Sequence, residues 1–213
     1  MNDKHRKESI VQIACCQMEP IVGKKSDNLN KSIEMIEEAA SNGANLIVLP
    51  ELCNSGYVFE TREEAFELSE EIPSGESCKS WSKICKKLGV HIVAGINERA
   101  GDLLYNSSVV IGPNDYVGTF RKVHLWNEEN LFFEPGDLGF PVFKTPIGRI
   151  SCHICYDSWF PESYRLAALQ GADIVCVSTN WVPIPGQDKD REAMANILAV
   201  SYTHLTLPTN REV

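Results

Sequence analysis

The chain has no apolar run long enough to cross a membrane, and it is short of basic charge. Against 29 Asp and Glu stand 20 Lys and Arg, giving a net charge of −9 over 213 residues. A membrane-spanning helix needs roughly 20 consecutive apolar residues, and the apolar stretches here are strand-sized. No export signal is apparent either: Ile10–Cys16 is too short for one and reads as a strand. The acidic balance excludes a nucleic-acid partner, since phosphate binding wants a basic surface. Lys4, Arg6 and Lys7 make only a short basic tail, expected to be flexible over residues 1–9. Cys152-His153-Ile154-Cys155 lacks a second ligand pair at zinc spacing, so no metal site is expected.

What is present suits a single domain with a sizeable core, at 43% hydrophobic and 23% charged residues. Eight cysteines in a chain of this length, without an export signal, read as reduced thiols of a cytoplasmic protein. Cys15, Cys16 and Cys176 lie in strand-like runs and are expected to be buried. Cys78 and Cys85, seven apart beside Trp81, read as one packed helical face.

Strand and helix signals alternate along the chain. Ile10–Cys16 is a strand, Ser26 can cap a helix carrying Leu29, Ile33, Ile36 and Ala40, and Asn45–Leu49 is a buried strand. A helix over Ser77–Leu88 ends at Gly89. Strands follow at His91–Ile96, Ser107–Ile111, Tyr116–His124, Val142–Thr145 and Gly148–Ile154. Then come a helix from Pro161 to Gln170, a strand at Ile174–Ser178 and a helix over Gln187–Val200. The phrase Ala39-Ala40-Ser41-Asn42-Gly43-Ala44-Asn45 is echoed by Ala167-Ala168-Leu169-Gln170-Gly171-Ala172-Asp173, which points to an internally pseudo-symmetric α/β fold with two packed sheets. Residues just beyond the carboxyl ends of such strands, Glu51 and Asn180 among them, line the sites of α/β sheets.

Four residues stand out chemically. Cys155 lies where a strand hands over to a helix opened by Pro161, a position that lifts a side chain out of the core and favours thiolate character. Glu51 follows Leu49-Pro50 at a buried strand end, where desolvation raises a carboxyl pKa toward neutrality. Lys122 closes the strand-like Phe120–Leu125, sharing a face with His124, and can hold an oxyanion. Glu129 sits in an acidic loop beside Glu128, Phe132, Phe133 and Glu134. Taken singly, each has a plain alternative: a buried thiol, a solvated acid or a surface lysine.

Leu49-Pro50-Glu51, Arg121-Lys122-Val123-His124-Leu125 and Ile154-Cys155-Tyr156-Asp157-Ser158-Trp159-Phe160-Pro161-Glu162, in that order and with Gln17 after the first strand, resemble the blocks of the nitrilase, or carbon–nitrogen hydrolase, superfamily. The resemblance runs from about Ile10 to about Pro183. It implies a four-layer α-β-β-α sandwich and a Glu–Lys–Cys triad acting without a cofactor. In that triad Cys155 is the nucleophile, Glu51 the general base and Lys122 the oxyanion stabiliser. Glu129 is implied as the second glutamate that positions substrate and lysine, and the Tyr156 N–H as a further oxyanion donor. Tyr57, Phe133, Asn180 and Trp181 are candidate pocket residues, with Trp126 and Phe132 nearby. Tyr156-Asp157 after the cysteine looks like the amidase and N-carbamoyl-amide branches rather than true nitrilases, so a small amide or carbamoyl substrate is expected.

The family continues with more strands and a tail that helps homo-oligomers form, whereas Ser201–Asn210 resembles nothing expected there. The chain is therefore expected to be C-terminally truncated, with a domain over 10–200, an incomplete second sheet and a tail over 201–213 of foreign origin. An impaired fragment or a non-enzymatic member of the fold stands as the alternative function. A Cys-x-x-Cys redox protein competes more weakly, because such pairs open a helix and Cys152 lies inside a strand; a Cys–His hydrolase using His124 or His153 has no supporting order or spacing.

Overall fold

The computed structural model describes residues 10–180, in which eight strands form two sheets. The first sheet runs β1 (Ile13–Cys15), β2 (Leu46–Val48), β3 (His91–Ala100), β4 (Leu103–Gly112) and β5 (Asp115–Arg121), in that spatial order. β1, β2 and β3 are parallel; β3, β4 and β5 form an antiparallel meander. The second sheet places β7 (Gly148–Ile154) between antiparallel β6 (Val142–Thr145) and parallel β8 (Ile174–Ser178). Four α-helices accompany them: α1 (Lys25–Ser41), α2 (Arg62–Leu68), α3 (Glu76–Leu88) and α4 (Pro161–Leu169).

Alternation along the strands assigns the layers. Ile47, Ile92, Ala94, Ile96, Val109 and Ile111 share a core with Leu29 and Ile36 of α1 and Trp81, Ile84 and Cys85 of α3. Their neighbours Leu46, Val48, Val93, Val110 and Phe120 face the other way, onto Ile150, Cys152, Ile154 and Cys176 of the second sheet. His153 points to the outer side of that sheet and meets Tyr164 of α4. The order is helix, sheet, sheet, helix, as in the nitrilase fold. A sheet covered on both faces needs apolar residues at every position, which is why β2 is buried throughout. Trp81, fully buried, donates from Nε1 to Ser32 Oγ at 2.9 Å, which pins α3 to α1; truncating such a side chain to alanine costs about 3–5 kcal/mol.

The repeated phrase folds twice in the same way. After α1 the N–H groups of Gly43 and Ala44 bond Ala40 O and Ala39 O; after α4 those of Gly171 and Ala172 bond Ala168 O and Ala167 O. Both glycines have positive φ, +92° and +81°. The chain then enters a parallel strand beside its partner: Asn45 N donates to Gln12 O, and Asp173 N to Arg149 O. Each side chain returns the bond, Asn45 Oδ1 accepting from Gln12 N and Asp173 Oδ2 from Arg149 N. β1-α1-β2 and β7-α4-β8 are thus two copies of one unit, and they bring the residues after β2 and after β8 to the same end.

Several expectations are corrected. Ser26 lies inside α1 and caps nothing; the entry turn is held by the Asn28 side chain, bonded to Ile21 N and O. Cys15 is exposed and Cys16 only half-buried, because β1 is an edge strand paired with β2 alone. β3 and β4 run well past the apolar runs and meet at Gly101. β5 stops at Arg121, so Lys122 and His124 are not strand neighbours. Helix α2 was not anticipated, although Thr61 and Glu64 cap it: Thr61 Oγ1 accepts from Glu64 N at 3.1 Å. Residues 1–9, Trp181, the segment 187–200 expected to be helical and the segment 201–213 expected to be a tail lie outside the described residues. No described helix is long and apolar enough to cross a membrane.

Candidate active site

The four chemically marked residues arrive from four separate segments. Past β2 the chain stays on β3: Leu49 N donates to Val93 O, Gly95 N to Pro50 O and Cys53 N to Gly95 O. This lays Glu51, fully buried, over the end of the sheet. Lys122 follows β5 and keeps a last ladder bond, its N–H donating to Asn106 O at 2.8 Å. Glu129 lies in a 3-10 turn, Asn127–Leu131. Cys155 opens another, Cys155–Trp159, between β7 and α4. The strand therefore does not pass directly into a helix, although Pro161 is the first residue of α4 as expected. Cys155 has φ +42°, a left-handed conformation uncommon for any residue but glycine.

Lys122 is the hub. Its Nζ donates at 2.7 Å to Glu51 Oε1 and at 2.7 Å to Glu129 Oε1, with all three side chains almost wholly buried. Glu129 is fixed further by the Tyr57 hydroxyl at 2.7 Å on Oε1 and the Trp126 N–H at 2.9 Å on Oε2. Glu51 Oε2 accepts the Asn180 N–H at 3.0 Å, and the Cys155 thiol lies close enough to feel the Glu51 charge. Of the two adjacent glutamates, Glu129 is the one inside; Glu128 is exposed.

Burial sets the proton affinities. It lifts the Glu51 carboxyl to about 7, opposed by the Lys122 ammonium and reinforced by the Glu129 charge. Burial would drain the Lys122 proton, but the two carboxylates more than offset it and hold the ammonium above its usual range. Burial pushes the Cys155 thiol well up, and Glu51 pushes it further. This corrects the expectation of thiolate character: the half-buried Cys155 stands beside two acids, and α4 begins six residues later. The resting thiol is protonated and needs a base.

The charged groups acting on that thiol are Glu51, Lys122 and Glu129, not a histidine. His124 is engaged by Asp157 and stacked on Phe160 at 3.9 Å. His153 is walled by Phe140 and Tyr164, and burial depresses it to about 4. Cys152 faces the core between the sheets and is fully buried. Among the described residues no group of three or more His, Cys, Asp or Glu is arranged to hold a metal ion.

A cavity of about 140 Å³ adjoins the cluster, lined by Tyr57, Phe59, Trp126, Glu128, Phe132 and Phe133 together with Glu129. Tyr57 and Trp126 belong to both, Tyr57 through Glu129 and Trp126 through the Tyr156 ring packed on it at 4.7 Å. Tyr57, Phe133, Trp126 and Phe132 all line this cavity. Asn180 contributes its backbone N–H.

A family model described as carbon-nitrogen hydrolase matches residues 12–207, further than the motifs alone carry the likeness. The chain belongs to the carbon-nitrogen hydrolase family. It is 47% identical over 173 residues to a protein of Pyrococcus abyssi named nitrilase, covering 81% of this chain and 66% of that one. With an N-carbamoylputrescine amidase of Arabidopsis thaliana it shares 34% over 160 residues, 72% of this chain and 54% of the relative. The chain thus spans two thirds or less of these relatives' length. The crystal structure of a carbon-nitrogen hydrolase from Helicobacter pylori G27 superposes with a TM-score of 0.79 at 26% identity, covering 92% of this chain and 69% of that one.

Two further residues shape the site. Asn106, in β4, donates from Nδ2 to Glu51 Oε1 at 2.8 Å and to Glu129 Oε1 at 3.4 Å. Asp157, two residues past the thiol, accepts from Ile154 N, His124 N and the His124 ring. Asn106 stands in the polar run Asn106-Ser107-Ser108, which gave no signal for the first. Nothing in the sequence paired Asp157 with His124.

Proposed function

We propose that the protein hydrolyses non-peptide C–N bonds of small amides or N-carbamoyl amines through a thioester on Cys155. The observation that carries this is the buried Lys122 ammonium shared between Glu51 and Glu129, with the Cys155 thiol in the field of all three groups. Glu51 takes the thiol proton as sulfur attacks the carbonyl carbon, and the C=O electron pair moves to oxygen. An ammonium has three donors and two are spent on the glutamates, so the third is available to the oxyanion. The Tyr156 N–H, at the start of a 3-10 turn, supplies a second donor. Collapse breaks the C–N bond, and the leaving nitrogen takes its proton from Glu51. Glu51 then deprotonates water, which cleaves the thioester and returns the thiol.

The adjoining cavity is small, aromatic and acidic, and no Lys or Arg is among its lining residues. This favours substrates with a neutral or cationic arm over those with a carboxylate arm, since a buried anion there would lack a partner. The eight unpaired thiols fit a reducing compartment, and we place the protein in the cytoplasm. Ammonia release over a panel of amides, N-carbamoyl amines and a nitrile, with peptide mass spectrometry of the trapped acyl-enzyme, tests the reading. The acyl group is expected on Cys155; acylation of any other cysteine overturns it.

A further inference from the structure

Asn106 is fully buried in β4, opposite Asn97 of β3 and beside the Glu51–Lys122–Glu129 cluster. Its Nδ2 reaches both carboxylates of the cluster, and its carbonyl accepts the Lys122 N–H. Its Oδ1 is buried with no hydrogen-bond partner among the described residues. Turning the amide over would satisfy nothing, because Oδ1 would then face two carboxylate oxygens that can only accept. A strand interior that keeps a half-satisfied amide carries a stability cost, and such costs collect where function needs them.

We propose that Asn106 is a positioning residue for the C–N hydrolysis argued above: its neutral amide holds Glu51 and Glu129 side by side around one ammonium and fixes the rotation of the Glu51 carboxylate. Glu51 Oε1 is filled by Asn106 and Lys122. That leaves Oε2, which among the described residues accepts only the Asn180 N–H, with a lone pair for the thiol and later for water. A second lysine here would add charge, and a second acid would repel. An amide adds a donor to two like-charged groups without changing the net charge of the cluster. The charged and titratable groups facing Glu51 are Lys122 beyond β5, Glu129 and Tyr57 from the loops, and Cys155 at the elbow.

The inference rests on the proposed chemistry, and its test avoids amide turnover. The alkylation rate of Cys155 by iodoacetamide is measured from about pH 5 to about pH 9 on the purified chain, read on the Cys155 peptide by mass spectrometry. Peptide resolution keeps the accessible Cys15 and Cys16 out of the signal. Wild type is expected to inflect where Glu51 ionises. Asn106→Leu, which also removes the orphan Oδ1, is expected to move that inflection up by about one unit, an approximately tenfold slower reaction on the acid limb. Thermal stability is expected to be retained, and Asn106→Ala provides the same comparison should leucine not fit. An unchanged inflection overturns the proposal. So does a lower melting temperature with an unchanged inflection, which would make the residue merely structural. A wild type with the expected profile but no hydrolysis of any amide would refute the proposed function and leave the role of Asn106 standing.

Discussion

His124 and Asp157 join the two arms of the site. Asp157 Oδ1 lies 2.8 Å from both the backbone N and ring Nδ1 of His124, while Oδ2 accepts the Ile154 N–H at 3.2 Å. His124 is two residues beyond Lys122, and Ile154 is the residue before Cys155. One buried carboxylate therefore ties the end of β5 to the left-handed elbow that presents the thiol. The chain around it is closed further by Ser158 Oγ on Cys155 O and Ser163 Oγ on Asp157 O.

Asp157→Asn keeps the shape but must aim an NH₂ at one of these N–H groups. A loss of about 1–3 kcal/mol in unfolding free energy is expected, as for a buried donor left without its acceptor. Because the elbow places sulfur rather than substrate, kcat should fall more than KM rises. Urea denaturation and steady-state kinetics on the same preparations measure both.

Removing the ammonium is expected to be worse. Lys122→Met leaves Glu51 and Glu129 buried against each other with no cation between them. Breaking a buried pair in this way costs about 3–5 kcal/mol, and losing an oxyanion donor costs roughly 10²–10³ in kcat. Lys122→Arg should not rescue, since a planar fork cannot replace a point charge in so tight a space. Undiminished turnover in either variant would contradict the role given to Lys122.

Glu51 makes a signed prediction about pH. Its carboxyl is raised from 4.5 to about 7, burial being the main cause, so between those values the folded chain holds a proton that the unfolded chain has released. This group therefore lowers stability as pH rises through that window. His153, lowered by burial from 6.5 to about 4, acts in the opposite sense over its own window. Glu51→Gln removes the first effect and keeps the second. Unfolding free energy of the variant minus that of wild type should climb from about pH 4.5 to about pH 7 and then level off. A flat difference would mean that Glu51 is ionised throughout. In the active protein the acid limb of kcat/KM should lie near 7, because the base must be ionised to accept the thiol proton.

The layers and the repeated helix-to-strand join were legible because apolar pattern and glycine placement are local signals. Gly43 and Gly171 announced the same turn, and the structure uses it twice. The ends of β3 and β4 were hidden for the opposite reason. Asn97, Glu98, Asn106 and Ser107 are buried polar residues bonded across the fold: Asn97 to Asn54 and Ala65, Glu98 to Arg121 and Ser107, and Asn106 to Glu51. Partners of that kind have no sequence spacing. The thiol position was readable, but its protonation state was not, since that depends on two glutamates brought in from elsewhere. The exposure of Cys15 turned on strand order, which an apolar run does not encode.

Gly95 offers a test of how tightly Glu51 must be held. It lies in β3 directly beneath the Pro50-Glu51 turn, bonded to Pro50 O and Cys53 N. A Cβ there would stand 2.4 Å from Pro50 O and 2.5 Å from Glu51 Cα, with backbone on every side and no flexible side chain to yield. Gly95→Ala must therefore displace the turn that carries the base. Gly101→Ala, at the β3–β4 hairpin with nothing within 4 Å, is the control for an alanine in the same hairpin, bearing only its own backbone strain. The displaced base should cost Gly95→Ala about 100-fold in kcat/KM, the scale on which misplacement by an ångström slows a reaction. Its melting temperature should also fall, whereas Gly101→Ala should lose stability alone. Equal activity in the two variants would show that the site tolerates movement of Glu51, and that the close packing of β3 against the turn serves the fold rather than the chemistry.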